Sequence, residues 1–187
     1  MRRSTLRAAG LLTGTLALTA GGAYAGTDSV KDKAGDAAPA GDITKVTVRN
    51  AGKAVMIQTK LAKATSGRTH VVATMVPATD GAATAGAATY VARTVETGHK
   101  VGVTLESSAA PAADPTSTDP TSTVATLLDC HGMHAAVSSG RNGMVTIRIP
   151  QSCLGADAGT LAVDVATVTS AGEVVDTLPT DVVAEQG

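Results

Sequence analysis

The chain contains no phenylalanine and no tryptophan, and only two tyrosines and two cysteines among 187 residues. Tyr24 falls in a segment read below as removable, which leaves Tyr90 as the one large ring of the remainder. Grooves for single-stranded nucleic acid stack bases on aromatic rings, so the composition speaks against that class. A sugar-binding face built on stacked Trp or Tyr is disfavoured for the same reason. No nucleophile elbow, HExxH helix, P-loop or dinucleotide fingerprint is present. No apolar run reaches the roughly 20 residues that a membrane-spanning helix needs.

What is present begins with an address. Arg2, Arg3 and Arg7 precede an apolar run from Ala8 to Ala20, and Ala23-Tyr24-Ala25 has the small-x-small form of a cleavage site. Residues 1–25 therefore read as a secretory signal peptide cleaved near Ala25, with Gly26 as the mature start. "RRSTL" resembles a twin-arginine signal without its usual flanks, and the general secretion route is preferred. No cysteine follows the site, so a lipid anchor is not indicated. Removing the three signal arginines from 15 basic residues leaves 12 against 16 acidic ones, a net charge of −4. Such a chain has no basic footprint for nucleic acid or for an anionic membrane.

Residues 26–41, "GTDSVKDKAGDAAPAG", are small, polar and aperiodic, and read as a flexible leader. From Asp42 the pattern alternates. Val46 and Val48 share one face, as do Val55, Ile57, Thr59 and Leu61, and pairing Val48 with Val55 leaves a turn at Asn50-Ala51-Gly52-Lys53. "THVVATMV" ends at Pro77, "ATYVARTV" and "KVGVTLE" flank Glu96-Thr97-Gly98-His99, and "VATLL", the ribbon around Asn142-Gly143 and "GTLAVDVATVTS" follow. Val174-Val175 opens a short edge strand. The stretch "SSAAPAADPTSTDPTST" (107–123) reads as a long surface loop, a spacer by default and an acceptor for O-linked sugars as the alternative. The expected fold is all-β: an antiparallel β-sandwich of eight or nine strands over residues 42–187, with one disulfide.

Two cysteines in an exported chain pair by default. A three-residue loop Arg141-Asn142-Gly143, with Gly143 left-handed, would set Val137 opposite Ile147 and Ala135 opposite Ile149. That register brings Cys130 beside Cys153 but on the opposite face, so Gly132 or Pro150 must bulge or end the pairing. The bridge closes 24 residues, ends included, which the chain-entropy treatment values at about 3 kcal/mol.

"DCHGMH" (129–134) carries the donor types of a copper or haem site. On a regular strand, however, His131 and Met133 point one way and His134 the other. An oxidised Cys130 also offers no thiolate to copper. The bland reading is a core-packed Met133 and a solvated His134. No histidine (His70, His99, His131, His134) has a local nucleophile partner. Asp80, Asp114, Asp119 and Asp157 lie in loop contexts but lack the alternating spacing of a self-contained calcium loop.

"GDITKVTVRN", "GKAVMIQTKL", "ATDG" and above all "VTIRIPQSCLG" resemble a group of secreted proteins of high-GC bacteria, themselves similar to DOMON-type and family 9 carbohydrate-binding β-sandwiches. The resemblance spans roughly residues 41–176 without the 107–123 insert. It implies a sandwich fold and a cysteine matching Cys130, and it includes neither His131 nor His134. Some DOMON domains bind haem or sugar, but the aromatic platform and the axial pair for either are missing here. The resulting expectation is a secreted, non-enzymatic protein with no catalytic residue or cofactor. Its role is binding or structural, with an unidentified extracellular or envelope partner, no nucleic acid and no stable membrane insertion. The alternative is extracellular copper or haem binding through His131, Met133 and His134.

Overall fold

Valine and threonine at every second position favour extended backbone, because β-branched side chains pack well on a pleated surface. The computed structural model describes residues 26–65, 68–79, 82–84, 86–97, 100–108, 125–155 and 159–187. The signal-like segment and nearly all of the 107–123 loop lie outside those residues, as do Asp80, His99 and Asp157. The strands are β1 (Gly26–Lys31), β2 (Ile43–Ala51), β3 (Ala54–Leu61), β4 (Lys63–Ala64), β5 (His70–Thr79), β6 (Ala82–Ala83) and β7 (Thr89–Thr97). They continue with β8 (Lys100–Ser108), β9 (Ala125–Leu128), β10 (His134–Ser138), β11 (Gly140–Arg141), β12 (Met144–Pro150), β13 (Leu161–Val168) and β14 (Val174–Ala184). The only helical turn among the described residues is a 3-10 turn at Gln151–Cys153. None of their helices is long and apolar enough to cross a membrane.

The fold is the expected antiparallel sandwich. One sheet runs β1-β2-β3-β12-β10; the other runs β14-β13-β5-β7-β8-β9, with β6 hydrogen-bonded to β5. A two-stranded ribbon, β11 with β4, stands beside them. Val46, Val48, Val55, Ile57, Val145, Ile147 and Ile149 of the first sheet face Val71, Ala73, Met75, Ala92, Leu105, Leu161 and Val163 of the second in one apolar core. Tyr90 belongs to that core. At the seams, β1 lies beside β14 and β10 beside β8.

The strand count exceeds the eight or nine expected. Of the fourteen, three are two-residue pieces too short to leave a periodic signature. β1 corrects the flexible-leader reading of residues 26–41: all six of its residues pair with β2, from Gly26 opposite Asn50 to Lys31 opposite Lys45. Its side chains are mostly polar because it is an edge strand held by backbone hydrogen bonds, so alternation could not announce it. β14 is eleven residues long rather than a short edge strand. Its pairing with β13 slips between Leu178 and Val182, and Pro179 sits in that irregularity, where a residue without an N–H is tolerated. β5 likewise runs on through Pro77 to Thr79, where Ala78 and Thr79 pair with β6.

Both hairpin registers differ from the sequence expectation by two residues, which preserves the faces while moving the turns. Val48 pairs with Ile57 and Asn50 with Val55, so the first turn is Gly52-Lys53 alone. Asn50 is thus a buried strand residue, not a turn residue. Its Nδ2 donates to the carbonyls of Gly159 (2.8 Å) and Ala184 (3.0 Å), and its Oδ1 accepts from Gln151 Nε2. In the second ribbon Val137 pairs with Val145 and Ala135 with Ile147, leaving residues 139–143 as the connection. The positive-φ residues there are Gly140 (φ 114°) and Asn142 (φ 53°), not Gly143. Gly143 is required instead for close approach, since a Cβ would collide with the Ala64 side chain and come within 2.6 Å of the Ser138 carbonyl oxygen. The loop is longer than expected because Gly140 and Arg141 pair with Ala64 and Lys63.

Two buried polar side chains have opposite consequences. The Asn50 amide is saturated, whereas Thr59 Oγ1 is buried without a hydrogen-bond partner. Asn50→Ala is expected to lower stability by about 3 kcal/mol, because it strips partners from buried carbonyls. Thr59→Val, which exchanges the idle hydroxyl for a methyl, is expected to raise stability by about 1 kcal/mol. Urea unfolding of the two variants beside the parent checks both signs.

Candidate functional site

The residues singled out as chemically capable cluster at the foot of the β10–β12 ribbon. β12 ends at Pro150, and the 3-10 turn that follows carries Cys153 back toward Cys130. The two form the disulfide, with Cα atoms 5.9 Å apart. Gly132 and Pro150 share the adjustment that strict alternation required. Gly132 takes φ 88°, the β10 pairing starts only at His134, and Pro150 closes β12. Cys153 is buried and Cys130 half-buried, both against the core.

The other members of "DCHGMH" separate. Met133 is half-buried and packs on the core, while His131 and His134 are exposed. His134 stands opposite Arg148, whose guanidinium donates to the Gly132 carbonyl at 3.2 Å. The sulfur ligand therefore turns inward and the two imidazoles outward, on backbone already committed to the disulfide turn.

His70 sits elsewhere. The β5–β7 ladder stops at Val72 opposite Arg93, and beyond it the Thr94 hydroxyl accepts the Val71 amide at 2.9 Å. His70 Nδ1 donates to the Thr94 carbonyl at 3.3 Å. The parted strands leave an open cavity of about 320 Å³, with His70, Arg93, Glu96 and Ser170 among its lining residues. Its charged side chains are of both signs, and it contains no cysteine. A second cavity, about 460 Å³, lies where Tyr90 and Leu154 meet the loop around Gly86. Tyr90 is only 8% exposed and presents no open ring face for stacking.

The structure assembles one constellation that the sequence reading missed. The carboxylates of Asp32, Asp36 and Asp176 lie within 4.8 Å of one another. Asp32 and Asp36 belong to the β1–β2 connection, and Asp176 comes from β14 in the other sheet. Asp176 Oδ2 accepts the Ile43 amide at 2.7 Å. Asp42, next to Ile43, is 2% exposed; its Oδ2 accepts the Gly35 amide at 2.7 Å, and its Oδ1 is buried without a partner. A buried acceptor left unpaired costs about 1–3 kcal/mol, more if charged. "DKAGD" (32–36), ahead of Asp42, was the available sequence signal, hidden by the leader reading. Asp176, more than 130 positions away, gave none. Of the aspartates weighed for calcium from sequence, Asp80, Asp114, Asp119 and Asp157 all lie outside the described residues.

Comparison with protein-family models, curated proteins and solved structures finds no match to the chain.

Placement predicts how substitutions in the opening motif divide. Met133→Ala is expected to cost about 1–2 kcal/mol through lost packing. His131→Ala and His134→Ala are expected to stay within about 0.5 kcal/mol of the parent, as exposed substitutions do. Thermal or urea unfolding of the three variants measures the split.

Proposed function

We propose that the chain is an exported, non-enzymatic β-sandwich with a binding or structural role at the cell envelope. The observation that carries this reading is the Cys130–Cys153 bridge. Disulfides of this structural kind persist in oxidising compartments and are rare where thiols are kept reduced. The signal-like residues 1–25 agree with it from sequence alone.

The non-catalytic part of the reading draws support from how reactive side chains are used. Both thiols are consumed in the bridge, so neither is a nucleophile nor a copper ligand. The described histidines are split between the β5–β7 opening and the ribbon foot, and His70 is bonded to a backbone carbonyl. What the fold offers a partner is surface: two twisted sheet faces and the exposed strand β9, with Leu127 66% exposed.

Protein recovered from the medium of a secreting host is expected to begin at Gly26 by intact mass and to contain no titratable thiol. Reduction is expected to remove about 3 kcal/mol of stability. Two free thiols in freshly secreted, unreduced protein would refute the reading, as would retention of the full 187 residues inside the cell.

A further inference from the structure

The β5–β7 ladder is interrupted by a side chain. Its last pair is Val72 with Arg93. Beyond it the buried Thr94 hydroxyl accepts the Val71 amide at 2.9 Å and donates to the Val71 carbonyl at 3.4 Å, in place of backbone partners. The cavity of about 320 Å³ opens there, walled on its other side by the turn after β13. That wall is set in advance. The Thr169 amide donates to the Glu173 carbonyl and the Gly172 amide to the Thr169 carbonyl, both at 2.9 Å, and the Glu173 amide donates to the Thr169 hydroxyl at 3.2 Å.

The His70 ring is fixed as well. The Thr94 carbonyl it meets can only accept, so Nδ1 carries the proton and, in the neutral ring, Nε2 carries the lone pair. Arg93 and Glu96 line the same cavity, and both are exposed. Neither is paired with the other or with any described residue. Three positions of strand, roughly 10 Å, hold them apart. Val95 and Val168 add apolar lining.

We propose that this cavity binds a free α-amino acid with a small aliphatic side chain. Arg93 offers its planar fork to the carboxylate. The ammonium group brings N–H donors for His70 Nε2 and meets its counter-charge in Glu96. Val95 and Val168 take the side chain. A zwitterion has no net charge, which suits a lining with one cation and one carboxylate; a dianion such as phosphate would leave Glu96 opposing it. The volume is at the low end of the roughly 300–1,000 Å³ of small-molecule pockets, which favours a ligand of amino-acid size over an oligosaccharide. The inference gives a ligand to the binding half of the role proposed above, but it rests on the cavity alone. Export is tested by thiols and intact mass, so the two can fail separately.

The test is a titration of the full chain with L-valine, followed by two-dimensional amide NMR. Saturable shifts of the Val95 and Ser170 amides are expected, with Kd on the order of 1 mM. L-valinamide lacks the carboxylate and isovalerate lacks the ammonium; each is expected to bind about tenfold more weakly or worse. Arg93→Gln, at an exposed position, is expected to unfold as the parent does and to lose at least about tenfold in L-valine affinity. Arg49→Gln, exposed on β2 of the other sheet, should bind as the parent does. Absence of saturable shifts through about 50 mM L-valine, well beyond that Kd, would overturn the proposal. So would parental affinity in Arg93→Gln, or either analogue binding as tightly as L-valine.

Discussion

The two sheets are joined at one end through the amide of a single asparagine. Asn50 occupies an inward position on β2, where its two neighbours on that face are Val46 and Val48. From there it reaches Ala184 on β14, Gly159 ahead of β13 and Gln151 in the 3-10 turn. The backbone converges on the same place. The Gly187 amide donates to the Asn50 carbonyl, the Gly187 carbonyl accepts from Gly52, and Gly26 lies opposite Asn50 in the β1–β2 ladder. A buried amide is tolerated in an apolar core only when its donors and acceptor are satisfied. Asn50 meets that condition only if both sheets and the 3-10 turn are in register together. Its burial therefore enforces the relative placement of three otherwise separate parts of the chain.

The same residue explains why the fold class could be read from sequence while the registers could not. Period-two alternation identifies which residues point inward, and Val46, Val48, Val55, Ile57, Thr59 and Leu61 all do. A shift of two residues leaves that pattern unchanged, so alternation is blind to it. Turn chemistry then has to fix the register, and asparagine is a favoured turn residue, which ended the expected first hairpin two residues early on β2. In the second ribbon the left-handed conformation expected at Gly143 falls on Gly140 and Asn142 instead, and the loop is lengthened by β11 pairing with β4, a contact between segments far apart in sequence. Long-range pairing of two-residue strands leaves no local trace. The disulfide was legible because it needed only a count, a compartment and an approximate register. The acidic group was not, because Asp176 lies far from Asp32 and Asp36 in sequence and only the fold brings the three carboxylates together.

Side-chain size accounts for why such fasteners are needed. The core is built from Val, Ile, Leu, Ala and Met with a single ring, Tyr90. Apolar burial contributes roughly 25 cal/mol per Å², so small residues return less per position against a conformational-entropy cost that every ordered residue pays. Net stabilities of domains are only about 5–15 kcal/mol. A covalent bridge with an entropic contribution of about 3 kcal/mol is then a substantial fraction of the whole, and so is a saturated buried amide.

The fasteners are also spaced apart. The disulfide closes the turn after β12, on the side where β10 lies beside β8; the acidic group sits at the opposite seam, where β1 lies beside β14. Asn50, bonded both to Gln151 in the disulfide-bearing turn and to Ala184 of β14, lies between them. Edge strands are where a sandwich frays first, since their residues pair on one side only. β1 is the clearest case, with an alternating half-buried and exposed pattern and almost no apolar side chain to anchor it. Its attachment depends on its ladder with β2 and on what holds the connection that follows. That connection is held by the Gly35 amide donating to Asp42 and the Ile43 amide donating to Asp176 of β14, polar bonds placed where apolar burial contributes least.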